Sequence, residues 1–516
     1  MGVRRGHSRA GHWGALRARV VGGPPPIIYG PVSGRQSVID ACVPQAVTAP
    51  GGTPITVNPS DAANVKSIVT AAGAGATFFF TKGLYNLPVS SETCINALPG
   101  QRFYFESAVG TPGNRTSANT AVMNCSSAWG FIFAGSTDNL VKGGLWQGAA
   151  AFTTYSGCAI IASDRSIVED AEVAGVYNRG IAVNYTGDDI NDVQILRRNY
   201  VHDTGHNGMN ADEQRRRGSF IIQNNHISGC MTRVNTGGDT DPGNAGGGTK
   251  FFTNNSLYDA NYIHDNLAWG LWNDWQHYNC TVTNNVIENN AGAGIFFEAC
   301  VGGNVFQHNS LKNNGNGNQA AFSVFGMGNI FFTNMDATSE FSSFDTGDVP
   351  NHGVLFPNNH VCDISYNDLD NYGDGPTQQP PAGEYLFYGP HPVNFICTTY
   401  DRGGTTRFTK GIKVHNNRFW VRGTGYTTGL FIQPACGHTP VVQSHIDNAK
   451  SAWTDPSNEW YENEYHLATL SETKGSWVWS DAGSTGPAYK NYAAWQAILN
   501  HDTAYAGHAA STRELI

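Results

Sequence analysis

One short signature recurs along the middle of the chain: an asparagine, any residue, then an apolar residue. It stands at Asn199-Tyr-Val, Asn225-His-Ile, Asn261-Tyr-Ile, Asn285-Val-Ile, Asn309-Ser-Leu, Asn367-Asp-Leu and Asn417-Arg-Phe. The steps 261→285 and 285→309 are both 24 residues, 199→225 is 26 and 225→261 is 36. Short alternating apolar segments at that period predict a solenoid, in which each repeat buries its apolar side chains against the next. The longer step predicts an insertion, supplied by the Gly-, Asp- and Pro-rich stretch 232–247; a second insertion is expected at 377–406. Upstream, residues 60–72 carry a Ser/Asp start, helical apolar spacing and glycines 73 and 75 behind them, so a helix is expected there. Residues 77–87 alternate as strands around a turn. A helix placed so would cover the open end of the solenoid.

These elements define an all-β expectation: a single right-handed parallel β-helix over residues 37–440. Residues 1–36 are expected as a disordered leader. Residues 441–516 are expected as a C-terminal capping segment with a terminal helix at 487–499. The helix–strand start resembles the N-terminal cap of pectate-lyase-type β-helices.

Composition agrees. Only 14% of residues are charged, glycine numbers 61, and asparagines are often doubled. Both residue types tolerate the left-handed angles of tight turns between strands. Net charge is −10, and Arg215-Arg216-Arg217 stands alone as a basic run, which speaks against nucleic-acid binding. No apolar stretch is long enough to span a membrane. The ten cysteines contain no CxxC pair, so neither a metal centre nor any cofactor is expected. Their even number and scatter fit disulfides of a secreted protein, and free buried thiols fit as well. No signal-peptide core precedes them; a secreted location is inferred from substrate and cysteine content.

Candidate chemistry comes from a second repeat. Gly246-Gly-Gly-Thr-Lys250, Gly270-Leu-Trp-Asn-Asp274 and Gly294-Ile-Phe-Phe-Glu298 share one form, glycine first and charge last, 24 residues apart. On strands about 4.8 Å apart, Lys250, Asp274 and Glu298 are expected to stack in line. Gly208-Met-Asn-Ala-Asp212 has the same form and adds Asp212. Alternation then puts Asn210, Trp272 and Phe296 on the same outer face as the charges. Trp275, Gln276, His206 and His277 complete the expected substrate contacts. Neighbouring rungs separate two carboxylates by roughly 5 Å, the spacing of retaining glycosidases. Lys250 beside Asp274 would keep it ionised as nucleophile, and Glu298, raised by that negative neighbour and by nearby rings, would be acid/base.

The run Gly270-Leu-Trp-Asn-Asp-Trp-Gln276, with Gly294-Ile-Phe-Phe-Glu298 one repeat later, resembles the catalytic region of glycoside hydrolase family 120, β-xylosidases built on a right-handed parallel β-helix. The resemblance covers about 60 residues. It implies Asp274 as nucleophile, Glu298 as acid/base and Lys250 as part of the site, in an enzyme cleaving polysaccharide or oligosaccharide. Two other readings stay open: a polysaccharide lyase or uronate epimerase with Lys250 as base, and a non-enzymatic carbohydrate-binding solenoid.

Overall fold

The computed structural model describes residues 33–332 apart from 89–92, 112, 126–130, 149–156, 184–191, 212–218, 233–245, 254, 274–278, 298–302 and 316–329; beyond these it describes 362–371, 394–395, 412–421, 459–467, 477–479, 488–490, 496–497 and 508–515. Three parallel sheets run along one axis. Among the described residues, the first has 13 strands from Ile55–Val57 to Glu459–Tyr461, the second 13 from Gly83–Asn86 to Thr512–Leu515, and the third 10 from Thr93–Asn96 to Asn394–Phe395. The chain visits first, second and third sheet in turn, then climbs one rung. This is the right-handed parallel β-helix expected from the sequence.

Alternation fills the interior. On the first sheet Phe78, Phe103, Val141, Val168, Leu196, Ile222, Tyr258, Val282, Phe306, Ile364 and Val414 occupy one inward column and are almost wholly buried. Such residues exclude water from a core running the length of the coil.

The asparagine signature is the corner between first and second sheets. Asn199, Asn225, Asn261, Asn285, Asn309, Asn367, Asn417 and Asn463 stack as a ladder with at most 1% exposure. From Asn199 to Asn417 each side-chain Nδ2 donates to Oδ1 of the asparagine one coil on, at 2.9–3.2 Å. The same Oδ1 accepts the preceding asparagine's backbone N–H at 2.9–3.1 Å. The residue before each ladder asparagine is left-handed, with φ of 51–57° from Arg198 to Glu462. A buried corner leaves backbone groups out of the sheets, and the amides satisfy them. A second ladder, Asn266–Asn290–Asn314, lines the corner into the third sheet at 2.8 and 2.9 Å.

The cap also follows the sequence. Pro59–Asn64 is a 3-10 turn leading into the helix Val65–Ala71, whose Val65 and Val69 are buried, and strands Thr77–Phe80 and Gly83–Asn86 follow. Three elements depart from it. The helix Ser33–Ala41 straddles the expected boundary at residue 36 and packs Val38 and Cys42 with Val286 against the second sheet, near Tyr262. Strands pass residue 440: Glu459–Tyr461 pairs with Ile412–His415, and Glu464–Leu467 with Arg418–Val421. Ala488–Lys490, inside the expected terminal helix, is a strand antiparallel to Trp477–Trp479. No helix among the described residues is long and apolar enough to cross a membrane.

Candidate functional site

The third sheet carries the glycine repeat, and glycine sets its register. Gly180, Gly208, Gly248, Gly270 and Gly294 share one column, each directly before a paired residue: Ile181↔Met209↔Thr249↔Leu271↔Ile295. A Cβ at Gly180, Gly208, Gly248 or Gly270 would meet the carbonyl oxygen of the next glycine in the column at 2.5–2.9 Å. The rungs close only because these positions have no side chain.

This register corrects the expected charge line. Lys250 pairs with Asn210 on one side and Trp272 on the other, not with Asp274. The three glycines 246–248 admit two alignments; the sequence reading took Gly246, whereas the fold uses Gly248, two residues on. The outward column is therefore Ala182, Asn210, Lys250, Trp272 and Phe296. Asp212, Asp274, Trp275, Gln276, His277 and Glu298 lie outside the described residues. Asn273 and Phe297, which directly precede Asp274 and Glu298, are paired on adjacent rungs.

Within the column the Lys250 Nζ lies 3.7 Å from the centroid of the Trp272 ring and 5.5 Å from that of Phe252. Contacts of this kind attract an ammonium to the ring face. Trp272 stacks on Phe296 at 5.2 Å, and Trp269 meets Phe296 at 4.7 Å, giving an aromatic wall beside the cation. Asn210 is 2% and Trp272 1% exposed, and neither the Asn210 Oδ1 nor the Trp272 Nε1 has a hydrogen-bond partner among the described residues. One acceptor and one donor without partners among the described residues thus flank Lys250.

His206 stands off this column, in the corner before the strand Met209–Ala211, where its backbone N–H donates to Asn178 O at 3.0 Å.

A second group of ionisable residues, which sequence reasoning missed as a group, lies on the outer face of the second sheet. Glu172, Tyr200, His226 and Tyr262 share one column; His202, Ser228, His264 and Glu288 share the next. The ladder signature already held all of them but Glu172: they are first or third residues after a ladder asparagine. His226 Nε2 and His264 Nε2 are 2.7 Å apart, and His264 Nδ1 is 2.6 Å from an Asp265 carboxylate oxygen. A carboxylate accepts only, so the neutral His264 carries its proton on Nδ1 and takes the His226 Nε2–H. Burial pushes His226 down to about 3, helped by His264 and His202. His202 is raised: burial works against its charge, but Glu172 and Asp203 outweigh it. The helix Ser33–Ala41 overlies one edge, where Arg35 pairs with Glu288. Among the described residues no group of three His, Cys, Asp or Glu side chains is arranged to hold a metal ion.

The architecture is that of a right-handed β-helix, and residues 219–337 match the family described as the right handed beta helix region. No curated protein matches the chain. Among solved structures it is similar to the A-module of the mannuronan C-5 epimerase AlgE6 of Azotobacter vinelandii, with 12% identity over 74% of this chain and 100% of that chain and a TM-score of 0.38. It is similar also to a mannuronic acid specific polysaccharide family 6 lyase from human gut microbiota, with 11% identity, 81% and 88% coverage and a TM-score of 0.41. A third is the tailspike protein gp49 of Acinetobacter baumannii bacteriophage Fri1, a capsular polysaccharide depolymerase, with 10% identity, 88% and 65% coverage and a TM-score of 0.34.

Proposed function

We propose that the outer face of the third sheet acts on a polysaccharide containing uronic acid units, with Lys250 as the base that removes the proton at C5. The observation that carries this reading is the corrected column. Lys250 has a neutral amide on one side and an indole on the other, so an acidic sugar approaching it along that column meets a cation and no carboxylate. In the reading from sequence, Asp212 and Asp274 bracketed the lysine and would have repelled a uronate. C5 of a uronate lies next to its carboxylate, so proton loss there builds an enolate-like anion. Lys250 would first give up a proton to solvent and then, as the neutral amine, accept the C5 proton. Expulsion of the C4 oxygen then gives an unsaturated uronate, and reprotonation from the opposite face gives the epimer. The unpartnered Asn210 Oδ1 suits a sugar hydroxyl donor, and the Trp272 Nε1–H a sugar oxygen. The buried rings of Trp272 and Phe296 form the floor that holds Lys250 toward the sugar.

A second reading is retaining hydrolysis by Asp274 and Glu298, the family 120-like chemistry. The pairing of Asn273 with Phe297 supports it, since the two carboxylates follow these residues directly. Lys250 no longer assigns their roles, because its rung partner is Trp272.

The test is a screen of uronate polymers and aryl glycosides with the full chain, with and without a chelator. Unsaturated uronate, or epimerised polymer, supports the lysine reading. Released phenol with saturated new chain ends supports the carboxylate reading. Neither product from any substrate, with the polymer still bound, leaves a carbohydrate-binding solenoid and overturns both.

A further inference from the structure

Six cysteines have described side chains, and all are buried: Cys42, Cys94, Cys125, Cys158, Cys230 and Cys280. Two of them stand together. Cys94 Sγ and Cys125 Sγ are 3.0 Å apart, at 3% and 0% exposure, in the first coils behind the N-terminal cap. Cys42 Sγ faces Ala260 O, Cys230 Sγ faces Ser228 O, and Cys280 Sγ faces Thr253 O and the Asn273 amide. Burial pushes each of these three thiols up to about 12, which makes them inert packing groups.

We propose that Cys94 and Cys125 are a disulfide-forming pair that clasps the first coils of the solenoid together. The sulfurs already lie about one ångström from the 2.03–2.05 Å bond length, so closing the bond requires only a small side-chain movement. The two residues are 31 apart in sequence, on different elements: Cys94 in the third-sheet strand Thr93–Asn96, and Cys125 directly after the second-sheet strand Ala121–Asn124. A bond between them ties a third-sheet strand to the second-sheet strand that follows it in the chain. A solenoid's terminal coils have a neighbour on one side only, so they fray first, and a crosslink contributes most there. Cys42, Cys230 and Cys280 face partners of their own elsewhere in the coil.

The chemistry is exchange with a small-molecule disulfide such as oxidised glutathione, before the coil closes over the thiols. The Cys94 thiol loses its proton to solvent, and its thiolate attacks one glutathione sulfur. The glutathione S–S bond breaks, and one glutathione thiolate leaves. The Cys125 thiolate then attacks Cys94 Sγ in the mixed disulfide and expels the second glutathione thiolate. Two protein thiols are oxidised, one glutathione disulfide is reduced to two thiols, and the two protons end on those thiols.

The experiment folds the full chain in a glutathione redox buffer, denatures it, caps free thiols with iodoacetamide, and maps the peptides without reduction by mass spectrometry. The expected product is one crosslinked peptide pair joining Cys94 to Cys125, two hydrogens lighter than the sum of its parts. Cys42, Cys158, Cys230 and Cys280 are expected to be capped. Capped Cys94 and Cys125, or either one joined to another cysteine, overturns the assignment. The clasp role is read separately from the denaturant midpoint with and without dithiothreitol. Reduction should lower the wild-type midpoint and leave that of Cys125→Ser unchanged. An oxidised wild type whose midpoint ignores reductant overturns the clasp.

Discussion

Replacing Asn285 with alanine tests the asparagine ladder at its centre. Asn285 is 0% exposed. Its Oδ1 accepts from the Asn261 backbone N–H and from Asn261 Nδ2, each at 2.9 Å. Its Nδ2 donates to Tyr258 O, Thr283 O and Asn309 Oδ1, again at 2.9 Å. Alanine removes the whole set. Asn261 Nδ2 keeps Ile222 O, and Asn309 Oδ1 keeps the residue-285 backbone N–H. The Asn261 N–H loses its acceptor, and Tyr258 O loses this donor. A buried orphaned group costs about 1–3 kcal/mol, so Asn285→Ala should cost about 2–5 kcal/mol. Serine should recover part of it: at the far end of the ladder Ser511 Oγ accepts the Asn463 N–H at 2.8 Å. Asn124→Ala, whose bond to Asn86 is exposed, should stay within about 0.5 kcal/mol. The assay is urea denaturation for the three variants, with hydrogen exchange at the Asn261 amide as the local probe. In a solenoid a lost rung weakens its neighbours, so exchange at 261 should accelerate most. An Asn285→Ala protein within about 0.5 kcal/mol of wild type, with the Asn261 amide still protected, would refute the ladder as a source of stability.

Other consequences follow from single residues. Because His226 is held far below its ordinary value of 6.5, the unfolded chain binds its proton first as pH falls; stability is full above about 6.5 and declines toward about 3. The gap between wild type and His226→Gln should therefore narrow over that window, by up to about 1.4 kcal/mol per pH unit, and a gap that does not change with pH contradicts the buried neutral imidazole. Arg115 is 4% exposed and donates to Ala108 O, Gly144 O, Asp170 O and Gln45 O at 2.9–3.2 Å. Arg115→Met should cost about 3–5 kcal/mol in urea denaturation and loosen the segment around Gln45, read as faster proteolysis there. Trp272→Leu removes the ring under Lys250 and should raise KM for the saccharide substrate; an unchanged KM with an unchanged fold removes Trp272 from the binding face.

The first- and second-sheet corners were legible in the sequence because they repeat one chemical requirement. Each needs an asparagine to satisfy a buried corner and an apolar residue two positions on. Variable segments on either side of the third-sheet strands change the interval but not the signature. The third-sheet face was harder to read. Its register depends on a missing side chain, and at 246–248 three glycines satisfy that need at different offsets, so Lys250 was placed two residues from its true partner. Asn210, Trp272 and Phe296 stayed on one outward face because a two-residue slip preserves parity. The helix Ser33–Ala41 has no strong local signal; it is set by Val38 and Cys42 meeting Val286, a contact over 240 residues away in sequence. The histidine–tyrosine face is legible only when its members are aligned on the asparagines.

The central claim is that Lys250 removes a C5 proton. It is tested most directly by proton NMR of a uronate polymer incubated with the protein in heavy water. Wild type should replace the C5 hydrogen with deuterium or lose it to an unsaturated uronate, and Lys250→Met should do neither while keeping the fold. An untouched C5 hydrogen, with saturated new chain ends that depend on Asp274 and Glu298, would contradict the account and assign the face to hydrolysis.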